Sequence, residues 1–115
     1  LLITHDLGVV AQNAQQVAVM YAGRIMESAD VVALFADPLH PYTKGLLQSM
    51  PRLGRRQARL DEIPGRVPAS TASIVGCAFA GRCPSEMDRC RREEPILEAV
   101  APGHQVRCWL YDGAV

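Results

Sequence analysis

Residues 1–28, LLITHDLGVVAQNAQQVAVMYAGRIMES, decide the fold class of this sequence. The apolar run Leu1–Ile3 leads into polar Thr-His-Asp, which predicts a buried strand with polar groups at its carboxyl end. Apolar residues recur at helical spacing over residues 7–14, and Gln16–Tyr21 is strand-like. A glycine-containing turn at residues 22–24 then leads into a second strand of alternating polarity. This order of elements predicts an α/β fold.

Two short helices are predicted downstream, one from about residue 30 to 36 and one from Pro41 to about Met50. Residues 51–75 are rich in Arg, Pro and Gly and show little periodicity, which predicts a linker arm. A cysteine-containing segment occupies residues 76–115. The sequence is therefore divided into three parts, with boundaries after residues 50 and 75.

Composition excludes several classes of protein. Twelve basic and twelve acidic residues cancel, so net charge gives no argument for nucleic acid or an anionic membrane as partner. No run approaches the roughly 18 apolar residues that a membrane-spanning helix needs. The first residues lack the charged start of a secretory leader, which favours thiols over disulfides for the four cysteines. An apolar start without methionine leads us to expect a fragment of a longer protein.

His5 is the first candidate for chemistry. It follows the predicted strand Leu1–Ile3, and open α/β folds bind ligands at the carboxyl ends of their strands. Taken alone, a His-Asp pair after an apolar run more often marks a plain strand end. Asp6 is expected to cap the helix that follows.

The surrounding blocks carry a family resemblance. LLITHDLGVV and VAVMYAGRIME resemble the switch-histidine segment of ABC ATPases and the two strands after it. The resemblance implies that His5 reaches the γ-phosphate of ATP between two subunits and is catalytic. DPLHPYTKGLL (residues 37–47) and IPGRVP (residues 63–68) are similar to stretches of oligopeptide, dipeptide and nickel importers. His40 is expected to be structural, at a helix start.

The four cysteines are a candidate metal site, with gaps of five, six and seventeen residues between them. They are Cys77, Cys83, Cys90 and Cys108. These gaps are longer than the usual zinc pairing and fit a [4Fe–4S] cluster better, with zinc and empty thiols as the alternatives. Their context, GCAFAGRCP and HQVRC, is similar to the C-terminal module of the same importers, which adds weight to the cluster.

The resemblance implies the C-terminal tail of a P-loop ABC ATPase domain, followed by a small irregular cysteine-rich extension. The full subunit would bind ATP and Mg²⁺, pair with a second ATP-binding subunit and with membrane permease subunits, and power import of oligopeptides or dipeptides. The subunit would lie in the cytoplasm, on the inner face of the plasma membrane, and would not have nucleic acid as a partner. The sequence contains no phosphate-binding Gly-Lys-[Ser/Thr] loop, so the fragment itself is expected to be inactive.

A non-enzymatic alternative remains at this point. A zinc- or cluster-stabilised module could bind a protein or a nucleic acid through an arginine-rich arm at residues 52–66. That arm lacks the interleaved aromatic residues of a single-strand binder, which argues against the nucleic-acid version.

Overall fold

The computed structural model describes residues 1–50, 63, 65–68 and 74–112. Most of the predicted linker arm therefore lies outside the described residues. The helices and strands, in chain order, are α1 (Leu7–Asn13), β1 (Gln16–Tyr21), β2 (Arg24–Asp30), α2 (Val31–Ala36), α3 (Pro41–Gln48), α4 (Asp88–Arg92), β3 (Glu98–Ala101) and β4 (His104–Val106). Short 3₁₀ helices occupy Ala80–Arg82 and Trp109–Tyr111.

The hairpin of β1 and β2 confirms the predicted strands and turn. The strands pair antiparallel, from Gln16 opposite Asp30 to Tyr21 opposite Arg24. Ala22 and Gly23 both have positive φ, at 50° and 79°. Two consecutive positive φ values give the turn the twist that a two-residue hairpin connection requires. A glycine satisfies this at no cost, whereas Ala22 is held there by the strands on either side.

A single sheet joins the two ends of the described chain. Its order is β1-β2-β4-β3, with every neighbouring pair antiparallel. In the central pair, Glu27 lies opposite Val106 and Ser28 opposite Gln105. The prediction of a mixed α/β fold is confirmed. A separate irregular cysteine-rich extension is not supported, because β3 and β4 continue the sheet that the hairpin begins.

Three polar side chains start the first three helices. Asp6 accepts hydrogen bonds from the backbone N–H groups of the first turn of α1, and Asp30 does the same for α2. The Nδ1 atom of His40 accepts from the N–H of Tyr42 and caps α3, whose first residue is a proline. These bonds satisfy donors that every helix start leaves without a partner. The predicted capping role of Asp6 and the structural role of His40 are confirmed.

The segment Leu1–Ile3 does not form the predicted strand. No described strand pairs with it, and all three side chains are exposed, Ile3 by 88%. A strand that is apolar on both faces is stable only between neighbouring strands, and none of the described residues supplies them. The helix α1 that follows has no buried residue either. The prediction of a buried strand is wrong for this chain by itself.

Two small clusters make up the core. One combines Tyr21 and Met26 of the hairpin with Phe79 from the segment after the arm, and the other packs Val19 against Leu34 of α2. The first cluster therefore holds the hairpin against the cysteine-containing segment.

The two methionines of the hairpin differ in burial. Met26 is fully buried, whereas Met20 is 58% exposed. Met20 follows a shift in the register of the β1–β2 pair, on the strand face opposite Val19 and Tyr21. Within the described residues, no helix has the length and apolar character needed to cross a membrane.

Candidate functional site

His5, the predicted catalytic residue, is exposed just before α1. Asp6 turns the backbone here, since its N–H donates to the Oγ1 of Thr4 at 3.0 Å while its carboxylate caps the helix. Within the described residues the imidazole makes no hydrogen bond or ion pair. The ring is therefore open to a ligand, but nothing in this part of the chain positions one against it.

A buried carboxylate forms the most organised polar site of the described chain. Glu27 lies on β2 and is fully buried. Its Oε1 accepts from the N–H of Leu39 at 2.8 Å and from the Nε2–H of His104 at 2.7 Å. Its Oε2 accepts from the N–H of His40 at 3.0 Å. One side chain thus connects β2, the loop before α3 and β4.

These three donors make Glu27 a structural anchor. A buried carboxylate is costly unless hydrogen bonds replace the water that it loses. Here the donors come from elements far apart in the chain, with 77 residues between Glu27 and His104. Solvent and substrates are kept from the carboxylate by its burial, so it is not placed to act as a base in a reaction.

His40 beside this carboxylate is held neutral. Burial lowers the pKa of its imidazole to about 4, although the nearby charge of Glu27 acts in the opposite direction. The neutral ring leaves a lone pair on Nδ1, which the cap of α3 requires. The ring also packs against Phe79 in a T-shaped arrangement, with ring centroids 5.8 Å apart. The same residue therefore starts a helix and closes the core.

The four cysteines lie in one region but on different local structures. Cys77 precedes the first 3₁₀ helix and Cys83 follows it, while Cys90 lies in α4 and Cys108 precedes the second 3₁₀ helix. The N–H of Cys77 donates to the carbonyl of Cys90 at 2.6 Å, which brings two of these turns into direct contact. All four are free thiols.

Burial favours the thiol form at Cys77, Cys83 and Cys108. It raises the pKa of Cys77 and of Cys83, and it raises the pKa of Cys108 to about 11. The proximity of the other cysteines adds to each rise.

The predicted metal site is corrected by this geometry. Across residues 1–50, 63, 65–68 and 74–112, no three His, Cys, Asp or Glu side chains form a group that could hold a metal ion. The predictions of a [4Fe–4S] cluster at Cys77, Cys83, Cys90 and Cys108, and of zinc as its alternative, are therefore wrong. The gaps in the sequence matched a ligand set, but spacing along the chain does not fix how thiols are arranged in space.

Sequence reasoning missed Glu27 and the role of His104 as its partner. A glutamate in a strand of alternating polarity is typical of the solvent face, and β2 was interpreted in that way. The one available signal is the predicted helix cap at His40, since the loop before a capped helix has free N–H groups that need an acceptor. Nothing local in the sequence identifies which carboxylate supplies it.

Comparison with known proteins gives a consistent result. A family model described as the C-terminal region of oligopeptide/dipeptide transporters matches residues 26–90. The chain is 54% identical over 110 residues to a probable peptide ABC transporter ATP-binding protein of Sinorhizobium fredii, covering 95% of the chain and 33% of that protein. It is 49% identical over 112 residues to an oligopeptide transport ATP-binding protein of Bacillus subtilis, covering 97% and 34%.

A dipeptide transport ATP-binding protein of Escherichia coli is 46% identical over 107 residues, covering 93% of the chain and 33% of that protein. The chain thus spans about a third of the length of these relatives. Their names specify nucleotide binding and peptide transport, and none of the three names a metal or a cluster.

Proposed function

The chain belongs to the family of oligopeptide/dipeptide transporter C-terminal regions, and on that basis we propose that it is the C-terminal part of an ATPase subunit. That subunit powers ABC-type import of oligopeptides or dipeptides. The observation that carries the proposal is the identity of about half of all residues, over nearly the whole chain, with transport ATP-binding proteins. The catalytic activity belongs to the full subunit, and the chain alone is proposed to be inactive.

His5 is the proposed catalytic contribution of this chain. In the full subunit its imidazole would reach the γ-phosphate of ATP and help to hold the attacking water and the charge of the transition state. Its exposure and its lack of a partner among the described residues support this role. ATP and Mg²⁺ are proposed as ligands of the full subunit only, because the chain contains no phosphate-binding loop.

The exposed apolar segment Leu1–Ile3 fits the same proposal. We assign residues 1–50 to the end of the ATP-binding domain, with a linker at 51–75 and a C-terminal module at 76–115. In that arrangement the segment is covered by strands of the remaining subunit, which would bury the leucine and isoleucine side chains. The partners are a second ATP-binding subunit and the membrane permease subunits, on the cytoplasmic face of the plasma membrane.

The alternative of a non-enzymatic module that binds protein or nucleic acid through arginines is not supported. The relatives are transport ATP-binding proteins. Four of the five arginines on which it depends lie outside the described residues, and the metal that would stabilise it has no ligand group within them.

Replacing the histidine tests the proposal. In the full-length subunit, His5→Ala is expected to lower steady-state ATP turnover on the order of 10²-fold while leaving ATP binding nearly intact. The matched control is Gln12→Ala, an exposed position on α1, for which turnover should stay within twofold. Turnover is measured in a coupled ATPase assay and nucleotide affinity by calorimetry. Equal turnover of His5→Ala and the control would remove His5 from the mechanism.

A further inference from the structure

A cavity of about 230 Å³ opens between α3 and the residues around the first 3₁₀ helix. Its apolar wall includes Ile63, Phe79 and Leu110. An apolar cavity of about 150 Å³ is enough to hold a benzene ring, whereas pockets for drug-sized ligands begin at about 300 Å³. The size therefore suits a small molecule or a single side chain and is too small for a nucleotide.

The close packing of α3 against Ile63, within the predicted linker arm, builds one side of this cavity. Gly45 lies in the middle of α3, and a Cβ atom there would stand 2.8 Å from Cγ1 of Ile63. A glycine weakens a helix interior, but here it lets the isoleucine side chain lie directly against the helix backbone. The carbonyl of Ile63 in turn accepts from the guanidinium of Arg82 at 3.3 Å.

Two cations border the apolar wall. The guanidinium of Arg82 is fixed by its bonds to the carbonyl of Ile63 and to the hydroxyl of Tyr21. The exposed Lys44 lies on α3, and its ammonium forms no ion pair with the described carboxylates. No aspartate or glutamate is among the described residues that line the cavity. Positive charge beside an apolar pocket favours an amphipathic anion.

We propose that this cavity binds a small carboxylate that carries an apolar side chain or tail, with the carboxylate at Lys44 and the apolar part against Ile63, Phe79 and Leu110. Two sources provide this chemistry, a short fatty acid and the C-terminal residue of a peptide. His5 is not among the residues that line the cavity, so the proposal does not rest on the proposed function. The planar carboxylate gains a charge-assisted hydrogen bond from the ammonium.

Ligand-observed NMR titrations of the natural full-length protein that carries this chain test the site with four probes. Hexanoate and N-acetyl-leucine represent the two sources. Acetate lacks the tail, and N-acetyl-leucinamide keeps the shape without the charge. We expect acetate to bind at least tenfold more weakly than hexanoate, since acetate lacks the four methylene groups that hexanoate would bury. The amide should bind at least fivefold more weakly than the acid.

The variant Lys44→Gln keeps a polar exposed side chain and removes the charge. It is expected to weaken binding of the preferred acid by three- to tenfold. The matched control Arg92→Gln removes a charge from the exposed side of α4, away from the cavity lining, and should change binding less than twofold.

Tighter wild-type binding of hexanoate would assign the site to fatty acids, and tighter binding of N-acetyl-leucine would assign it to peptide ends. Either result, with the expected weakening in Lys44→Gln, supports the proposal. Absence of binding for both acids would overturn it. Equal binding of acid and amide, or equal weakening by both variants, would overturn it as well.

Discussion

The two ends of the described chain contrast sharply in how sequence relates to burial. At the beginning, Ile3 is strongly apolar yet 88% exposed, and α1 buries nothing. Near the other end, His104 is polar yet only 9% exposed, because β4 pairs with β2 and its ring meets Glu27. The difference shows that burial depends on whether another segment packs against the residue. Hydrophobicity only determines how much free energy such packing contributes.

The polar end is held by specific hydrogen bonds, so removal of a single side-chain group there should lower the stability measurably. The apolar end has no partner among the described residues, so substitutions there should change the stability very little. Four experiments test this contrast, in order of decreasing effect.

Removal of the anchor should have the largest effect. Glu27→Ala leaves the imidazole of His104 and two backbone N–H groups buried without an acceptor. We expect a loss of about 3–5 kcal/mol in the free energy of unfolding, measured by urea denaturation. The control Glu93→Ala removes an exposed carboxylate that pairs with Arg89, and should cost less than about 1 kcal/mol. Similar costs for the two variants would contradict the anchoring role.

Acidification should act on the same region through His40. Burial lowers the pKa of this histidine from 6.5 to about 4, so the unfolded chain binds a proton before the folded chain does. The stability that depends on the neutral ring is complete above pH 6.5 and is lost as the pH falls towards 4. The loss attributable to this group is about 3 kcal/mol.

A variant isolates that contribution from other groups that titrate in the same range. His40→Asn keeps a side-chain oxygen to cap α3 but cannot take up a proton. Unfolding free energies of the two proteins, measured from pH 7 to pH 4, should therefore converge as the pH falls. Parallel pH profiles would show that His40 does not remain neutral in the folded chain.

Loss of the contact between the second 3₁₀ helix and the loop before α3 should have a smaller effect on stability. The hydroxyl of Tyr111 donates to the carbonyl of Leu39 at 2.7 Å. Tyr111→Phe removes this bond and keeps the ring, so it should cost about 1 kcal/mol in thermal or urea unfolding. A neutral result would mean that the bond adds nothing to what Glu27 already provides at this loop.

The smallest effect is expected at the beginning of the chain. Leu2→Ala should change the stability of the described chain by less than about 0.5 kcal/mol, whereas the same substitution at the fully buried Leu34 should cost about 2–5 kcal/mol. In the full-length subunit the two costs should become similar, because the proposed neighbouring strands would cover Leu2. A cost at Leu2 that stays near zero in the full-length protein would contradict that arrangement.

Local features of the fold were predictable from the sequence, and distant pairings were not. The strand Gln16–Tyr21 and the turn at Ala22–Gly23 depend on neighbouring residues, and both were predicted where they occur. The strand β4 has three residues, two of them polar, and it is held between β2 and β3 in the sheet. No periodicity marks such a strand in advance.

The candidate site likewise combines local features, which the sequence predicts, with distant contacts, which it does not. The helix start at His40 was predicted from the proline at the next position, which is a local rule. The burial of Glu27 depends on donors from two other elements, so its sequence context suggested a solvent-facing residue. The cysteine spacing was interpreted as a ligand set because spacing is visible in a sequence, whereas the arrangement of the thiols in space depends on the fold.

The pairing of β4 with β2 also means that β2 is synthesised well before the strand that completes its pairing. Glu27 leaves the ribosome 77 residues before the histidine that it binds. At roughly 5–20 residues per second, the middle of β2 waits for about 4–15 seconds with one edge open and a carboxylate that lacks its last donor. During that interval the nascent hairpin presents a strand edge on which other chains could pair. Translation speed over residues 30–106 therefore bears directly on how much of the protein reaches its folded state.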